Sequence, residues 1–584
     1  MSSAKESPEA LSHIDVEKTG ATATSSTEDE PQYPGWRKLT LIMAALYLAM
    51  FLVALDRTII GTAIPKITDD FHSINDVGWY ASSYLITLCA FQLIYGRIYT
   101  FYSAKWVLLS SILIFEVGSA VCGAAPSSVA FIIGRAVAGL GSAGIFSGCV
   151  ITMVISIPLH RRPMFQGIFG AVFGVASVCG PLIGGAFTTR VTWRWCFWIN
   201  LPIGAVVATI ILFILTTPPS KNTDTVKEQI MKLDPYGSAV FLPGIVCLLL
   251  ALQWGGTNYS WSNARIIVLF ILAGILFSIF VAIQFKSGDR ATVPIRIIKQ
   301  RSIASGAFFS MVSPGSMMVI IYFLPLWFQA VKGVTAEKSG IDTLPLVLSL
   351  VVASILSGAI TQKSGYYVGQ LIASSIISSI GAGLLTTLQP DSSSSKWIGY
   401  QFIYGFGLGL GMQQASMAAQ ACLEDKDVMT GVSLMFFMQG LGGAIFVVIG
   451  QTVFTQSLVS NLGEIGNFTA SQIINTGATE LKNLVPPQMM DAVLLAYNTA
   501  LTDTLKVAVG LSAATIIAGL TMEWKNLKNK RQGGAAGELE AKQAEEEAAQ
   551  ENGLAEAVPL DKETSLESTP RNATPTTPEK KPLH

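Results

Sequence analysis

Residues 167–187 read GIFGAVFGVASVCGPLIGGAF, and residues 188–204 continue as TTRVTWRWCFWINLPIG. The first part is apolar and long enough to cross a bilayer as a helix, for which about 20 residues are needed. At ~100° per residue, Gly167, Gly170, Gly174, Ser177, Gly180, Gly184 and Gly185 fall within roughly a 140° arc. Small residues on one side let a neighbouring backbone come close, which is how helices pack in a membrane without a hydrophobic drive. Pro181 removes one backbone donor and bends the helix. An ordinary packing face and a functional one fit this pattern equally.

The rest of the chain is of the same kind. Of its 584 residues, 51% are hydrophobic and 13% charged, and the mean hydropathy is +0.51. Globular proteins carry nearer a quarter charged residues, so the composition is that of a multi-spanning, all-α membrane protein. The 38 basic and 38 acidic residues balance, which argues against nucleic-acid binding. The seven cysteines show no paired spacing and the four histidines are scattered. Neither a disulfide framework nor a metal site is expected.

Residues 1–35 and 532–584 are polar, lack an apolar period and read as disordered tails. Between them, apolar stretches predict fourteen spans: six over 36–217, two within 218–301, and six over 302–531 with a long outer loop at 455–498. The twelfth is expected at 397–421. The loops on one side hold Arg97, Lys105, Arg161, Arg162, Lys286, Arg290 and Arg296, far more basic residues than the other side. By the positive-inside rule both termini are then cytoplasmic. The sequons at Asn258 and Asn467 fall on outer loops, where glycosylation requires them. Loops at 96–105 and 358–365 occupy matching places in the two six-helix blocks. That suggests a pseudo-repeat with a site between its halves, the pair in 218–301 being an insertion.

Gly174, Gly180-Pro181 and Gly184-Gly185 resemble the fifth-helix antiporter motif of the major facilitator superfamily, with Ala176 where a further glycine is usual. Trp193-Arg194-Trp195 leading into Asn200-Leu201-Pro202-Ile203-Gly204 is similar to the helix 5–6 join of its fourteen-spanner drug:proton antiporters. Leu55 to Pro65, LDRTIIGTAIP, resembles the first-helix motif of the same group. Gly96, Arg97 and Lys105 stand in a degraded copy of the superfamily's inner-loop signature. There Thr100 replaces the usual aspartate, and Ser103 and Ala104 replace a glycine and a basic residue, as in fungal toxin exporters. The resemblance implies proton-coupled efflux of a small amphipathic compound by alternating access. The cargo would be a secondary metabolite, a mycotoxin or an antifungal drug, and the protein a monomer in the plasma membrane. It implies no cofactor besides the proton gradient. An importer or vacuolar transporter of the same fold, for siderophores or basic amino acids, is the rival; importers generally lack the fifth-helix motif. A non-transporting sensor would need a sizeable soluble domain, and an enzyme a catalytic constellation.

Four charged residues lie at membrane depth, where charge is costly and faces the bundle interior or water. Asp56 and Arg57 interrupt span 1. Adjacent residues point ~100° apart, so a simple mutual salt bridge is not expected. Asp56 reads either as a structural partner or as a proton carrier. Glu116 in span 3 and Arg135 in span 4 read as a buried ion pair or as proton-coupling groups, the arginine resembling the superfamily's fourth-helix arginine. Arginine keeps its charge, so it would bias a carboxylate rather than carry a proton. Gln413, Gln414 and Gln439 are polar groups that either line a substrate pocket or tie helices together. Gly139 to Gly144 matches GxGxxG, but no strand precedes it, so it is expected to be packing.

Overall fold

The computed structural model describes residues 33–73, 76–216, 225–256, 259–463 and 490–528. Both sequon asparagines, Asn258 and Asn467, and nearly all of both tails lie outside them. The long elements are α1 Trp36–Phe71, α2 Val77–Phe101, α3 Ala104–Ala124, α4 Ser128–Ser156, α5 Arg162–Arg190 and α6 Asn200–Ile214, the last entered through the single turn Trp195–Trp198. Then come α7 Pro235–Trp254, α8 Ala264–Ser287, α9 Arg301–Ala330, α10 Leu344–Ser364 and α11 Val368–Leu385. The series ends with α12 Ser394–Gly411, α13 Gln414–Cys422, α14 Asp425–Gly463 and α15 Met490–Thr521. Among the described residues, 13 helices are long and apolar enough to cross a membrane, and the chain is an integral multi-pass membrane protein.

The stretch expected to be one span at 397–421 is two helices, interrupted at Met412-Gln413. The first half, YGFGLGLG, is low in bulky apolar side chains because it is wedged between neighbours. A Cβ on Gly405 or Gly409 would strike the carbonyls of Leu346 or Leu350 on α10, and one on Gly407 would strike the backbone of Ser378 on α11. Close backbone approach has replaced side-chain bulk. The GxGxxG stretch on α4 is packing of the same kind. Gly139 lies against the Tyr84 carbonyl, Gly141 against the Phe115 backbone, and Gly144 against Ser111 and Tyr95. Helix α14 continues to Gly463 and α15 begins at Met490, so helix replaces both ends of the outer loop expected at 455–498; its middle lies outside the described residues.

The helices form two sets. In the first, α3 and α2 pack on α4, and α5 and α6 on α1; in the second, α10 and α11 pack on α12, and α14 and α15 on α9. The sets meet where α5 crosses α10 and where α2 crosses α14. Helices α7 and α8 pack on each other, with α7 resting on α2 and α14. Helix α8 turns Ile267, Val268, Ile271, Ile275 and Ile279 outward, an apolar surface suited to lipid.

The segments flanking α7 and α8 converge on Asp234, which sits in the left-handed region (φ 53°). Its buried carboxylate accepts from the Gly237 amide at 2.9 Å, Gln284 Nε2 at 2.7 Å, and both the amide and the hydroxyl of Thr292 at 2.8 Å. Each buried donor left without an acceptor costs about 1–3 kcal/mol. Asp234→Ala is therefore expected to lower the thermal midpoint of the purified protein by several degrees or more, whereas Ser278→Ala, on the exposed face of α8, leaves it in place. Equal midpoints in a thermal-shift measurement would remove this role.

Candidate functional site

Five helices, α1, α2, α3, α4 and α6, bring a polar cluster together inside the first set. Asp56, at mid-α1, and Arg135, near the start of α4, are both fully buried and form an ion pair at 2.5 Å (Asp56 Oδ2 to Arg135 Nη1). The other carboxylate oxygen accepts from Asn200 Nδ2 at 3.1 Å, and the same amide group reaches Ser119 Oγ on α3 at 3.1 Å. Arg135 Nε donates to the Tyr80 carbonyl at 3.0 Å, and the guanidinium lies 4.4 Å from the centre of the Tyr84 ring. The Tyr84 hydroxyl in turn donates to Ser142 Oγ at 2.6 Å. Every charge in the cluster is thus met by an opposite charge, a dipole or a ring face, as burial requires.

Glu116 stands one turn from Ser119 on α3. Its carboxylate lies over Gly204 of α6, so close that a Cβ there would overlap it. Neither carboxylate oxygen has a hydrogen-bond partner among the described residues. Arg135 is paired with Asp56 and not with Glu116, which removes the ion-pair alternative for Glu116. Arg57 points away from its neighbour, as the helical period predicts. It reaches across to Met318 of α9 (Nη2 to Sδ, 3.7 Å) and lies 5.9 Å from the Phe173 ring. Asn200 and Ser119 escaped the sequence reading as individual residues; Asn200 was visible only as part of the NLPIG string.

The fifth-helix glycines divide their work. Near the start of α5, Gly167 and Gly170 face Ser354 of α10 and Gly174 faces Val351, so they join the two sets. Further along, Gly180 faces Thr58 and Gly184 faces Thr62 and Ile59, all on α1; Gly185 faces open space. Pro181 lies within α5 and leaves the Ser177 carbonyl without its usual donor.

More ties close the same end of the bundle, where α1 and α5 begin. Gln166 Nε2 donates to Ser416 Oγ at 2.7 Å and Gln420 Nε2 to Gln166 Oε1 at 3.0 Å. Gly96 abuts Ser433, whose hydroxyl is 3.3 Å from that of Ser147. Arg97 donates to the carbonyls of Lys232 at 2.9 Å and Asp289 at 3.3 Å. Arg296 pairs with Asp289 at 2.6 Å and, through two nitrogens, with Asp427. The Arg296 guanidinium beside Asp289 holds its carboxyl below the usual range. Lys105 takes no part in this closure that the structure displays; it lies over the Trp106 ring, 5.8 Å from its centre.

The three glutamines separate. Gln414 is buried and ties α13 to α10, donating to Ser357 Oγ at 2.7 Å. Gln413 is half-buried at the helix break. Gln439 opens into a cleft between α9, α12 and α14, with Phe309, Ser313, Pro314, Met317 and Met412. Among the described residues no group of His, Cys, Asp and Glu is arranged to hold a metal ion.

The sequence profile of the Major Facilitator Superfamily matches residues 46–447. The chain is 53% identical, over 88% of its length and 96% of theirs, to the MFS-type efflux pump MFS1 of Arthroderma benhamiae. It is 48% identical, over 86% of its length and 92% of theirs, to the rubrofusarin-specific efflux pump aurT of Gibberella zeae. The fold is similar to the crystal structure of the human organic anion transporter MFSD10 (TETRAN), with a TM-score of 0.53 at 13% identity, covering 81% of this chain and 99% of that one. With a profile match across most of the helical region and relatives at half identity along nearly the whole length, the chain belongs to the major facilitator superfamily.

Proposed function

We propose that this protein is a proton-coupled exporter of small amphipathic compounds, a fungal secondary metabolite, mycotoxin or antifungal drug. The observation that carries the reading is the near-full-length similarity to relatives named as efflux pumps. The buried Asp56–Arg135 pair, with an unpartnered carboxylate beside it on Glu116, supports the coupling. Counting α12 and α13 as one interrupted span gives fourteen, two six-helix sets plus the inserted α7–α8 pair. An even number returns both termini to one face. The excess of basic residues there makes that face cytoplasmic by the positive-inside rule, and export favours the plasma membrane. The protein works as a monomer, with no cofactor beyond the proton gradient.

In this reading the closed end is the cytoplasmic one, and transport alternates it with closure at the other end by rocking of the two sets. Arginine cannot lose its proton, so only the carboxylates can change charge. Protonation of Asp56 weakens the hold of α1, α4 and α6 on one another, and protonation of Glu116, which has no partner to lose, removes a negative charge beside them. Either change favours the alternative arrangement by differential affinity. Glycines 174, 180 and 184 keep α5 close enough to α10 and α1 to seal the pathway.

In sealed inside-out vesicles with an imposed proton gradient, the wild type accumulates labelled amphipathic toxins or drugs. Glu116→Gln or Asp56→Asn abolishes the gradient-dependent part. Full gradient-dependent accumulation by both variants would show that neither carboxylate couples, and no accumulation by the folded wild type would count against export. A Cβ on Gly180 would overlap Thr58, so Gly180→Leu reaches the membrane but loses export; normal export by that variant would refute the sealing role of the glycine face.

A further inference from the structure

Among the described residues, Arg135, Arg97 and Arg162 each reach a carboxylate or carbonyl oxygen, although the Arg97 Nε has no partner; Arg57 reaches neither. Arg135 has Asp56. Arg97 has backbone carbonyls. Arg162 has the carbonyls of Ile157 at 2.7 Å and Val154 at 2.8 Å. Arg57, half-buried at mid-α1, has only the thioether of Met318 and the distant face of Phe173; no carboxylate or carbonyl accepts from it among the described residues. A guanidinium carries five donors and a permanent charge. At membrane depth such a group is costly unless an anion or water meets it.

Its position says what meets it. Arg57 projects from the first set onto the second, and its contact, Met318, packs in one cluster with Met317 and Met412, which line the cleft together with Gln439. Phe173 of α5, from the first set, belongs to the same packed cluster as Met317 and Met412 of the cleft, so the cleft borders the seam between the sets. Methionines supply adaptable apolar surface, Phe173 offers a ring face, and Gln439 a hydrogen-bonding amide.

We propose that Arg57 is the anion-recognition point of the transport cavity: it holds the ionised phenol or carboxyl group of an aromatic cargo whose ring rests among Phe173, Met317 and Met318. The assignment rests on the export reading and narrows its cargo to aromatic organic anions. It also takes Arg57 out of proton coupling, since the residue has no proton to give.

The test uses the full-length protein in nanodiscs of zwitterionic lipid, at a pH where aromatic carboxyl groups are ionised. Binding of hydroxynaphthoate and of its neutral methyl ester is read by tryptophan fluorescence. The wild type prefers the anion roughly tenfold, the scale of a charge-assisted contact. Arg57→Gln binds the two probes equally, and Arg57→Lys, which restores the charge, recovers most of the preference. A preference that survives in Arg57→Gln, or a wild type with none, including one that binds neither probe, overturns the assignment. The export reading is judged separately in energised vesicles. If the anion binds through Arg57 but no gradient moves it, export fails and the recognition site stands.

Discussion

The pairing of Asp56 with Arg135 is the interaction on which the first set of helices depends. Either charge alone at membrane depth would cost at least ~2.5–3.5 kcal/mol on insertion scales, and removing one partner of a buried pair typically costs about 3–5 kcal/mol. The pair therefore dictates the mutual rotation of α1 and α4. The Asn200 amide, shared between Asp56 and Ser119, adds α6 and α3 to the same point. A junction of four helices held by one carboxylate is well suited to a switch. Changing the charge of a single atom group alters its contacts to Arg135 and Asn200 at once, and through Asn200 the link to Ser119. In the proposed mechanism that is how a proton is converted into motion.

The closed end is held by different chemistry. The inner loop lacks the acidic residue usual at Thr100, yet Arg97 is not stranded. It donates to carbonyls in the segments that flank α7 and α8, while Arg296, just before α9, clamps Asp427 at the start of α14. The inserted pair thus supplies acceptors to a loop that has lost its own. Asp234 holds those flanking segments in shape. Serine hydroxyls and glycine close approaches between α5 and α10, and between α2 and α14, complete the seam. These contacts are individually weak, which suits the seam that the proposed mechanism opens in each cycle.

Much of this was legible in the sequence because membrane helices announce themselves. Long apolar runs, the small-residue face of α5 and the charges at positions 56, 57, 116 and 135 are local features. The divergence of Asp56 and Arg57 also followed from the helical period alone. What was not legible depends on contacts between distant segments. Nothing local tells that Arg135 meets Asp56, 79 positions away, in preference to Glu116. Nor does sequence tell that Gln414 is spent on Ser357 while Gln439 opens into a cleft. The break at Met412-Gln413 was hidden because a glycine-rich wedge and an apolar span have similar composition once averaged over twenty residues.

The central claim is that a buried carboxyl group of the Asp56 and Glu116 pair takes up the proton. Infrared difference spectroscopy of the reconstituted protein, between acid and alkaline buffer, reads the carboxylic-acid carbonyl stretch, which appears on protonation and is absent from ionised carboxylates. The account predicts such a band in the wild type and its loss in Asp56→Asn or Glu116→Gln. An unchanged band in both variants would contradict it.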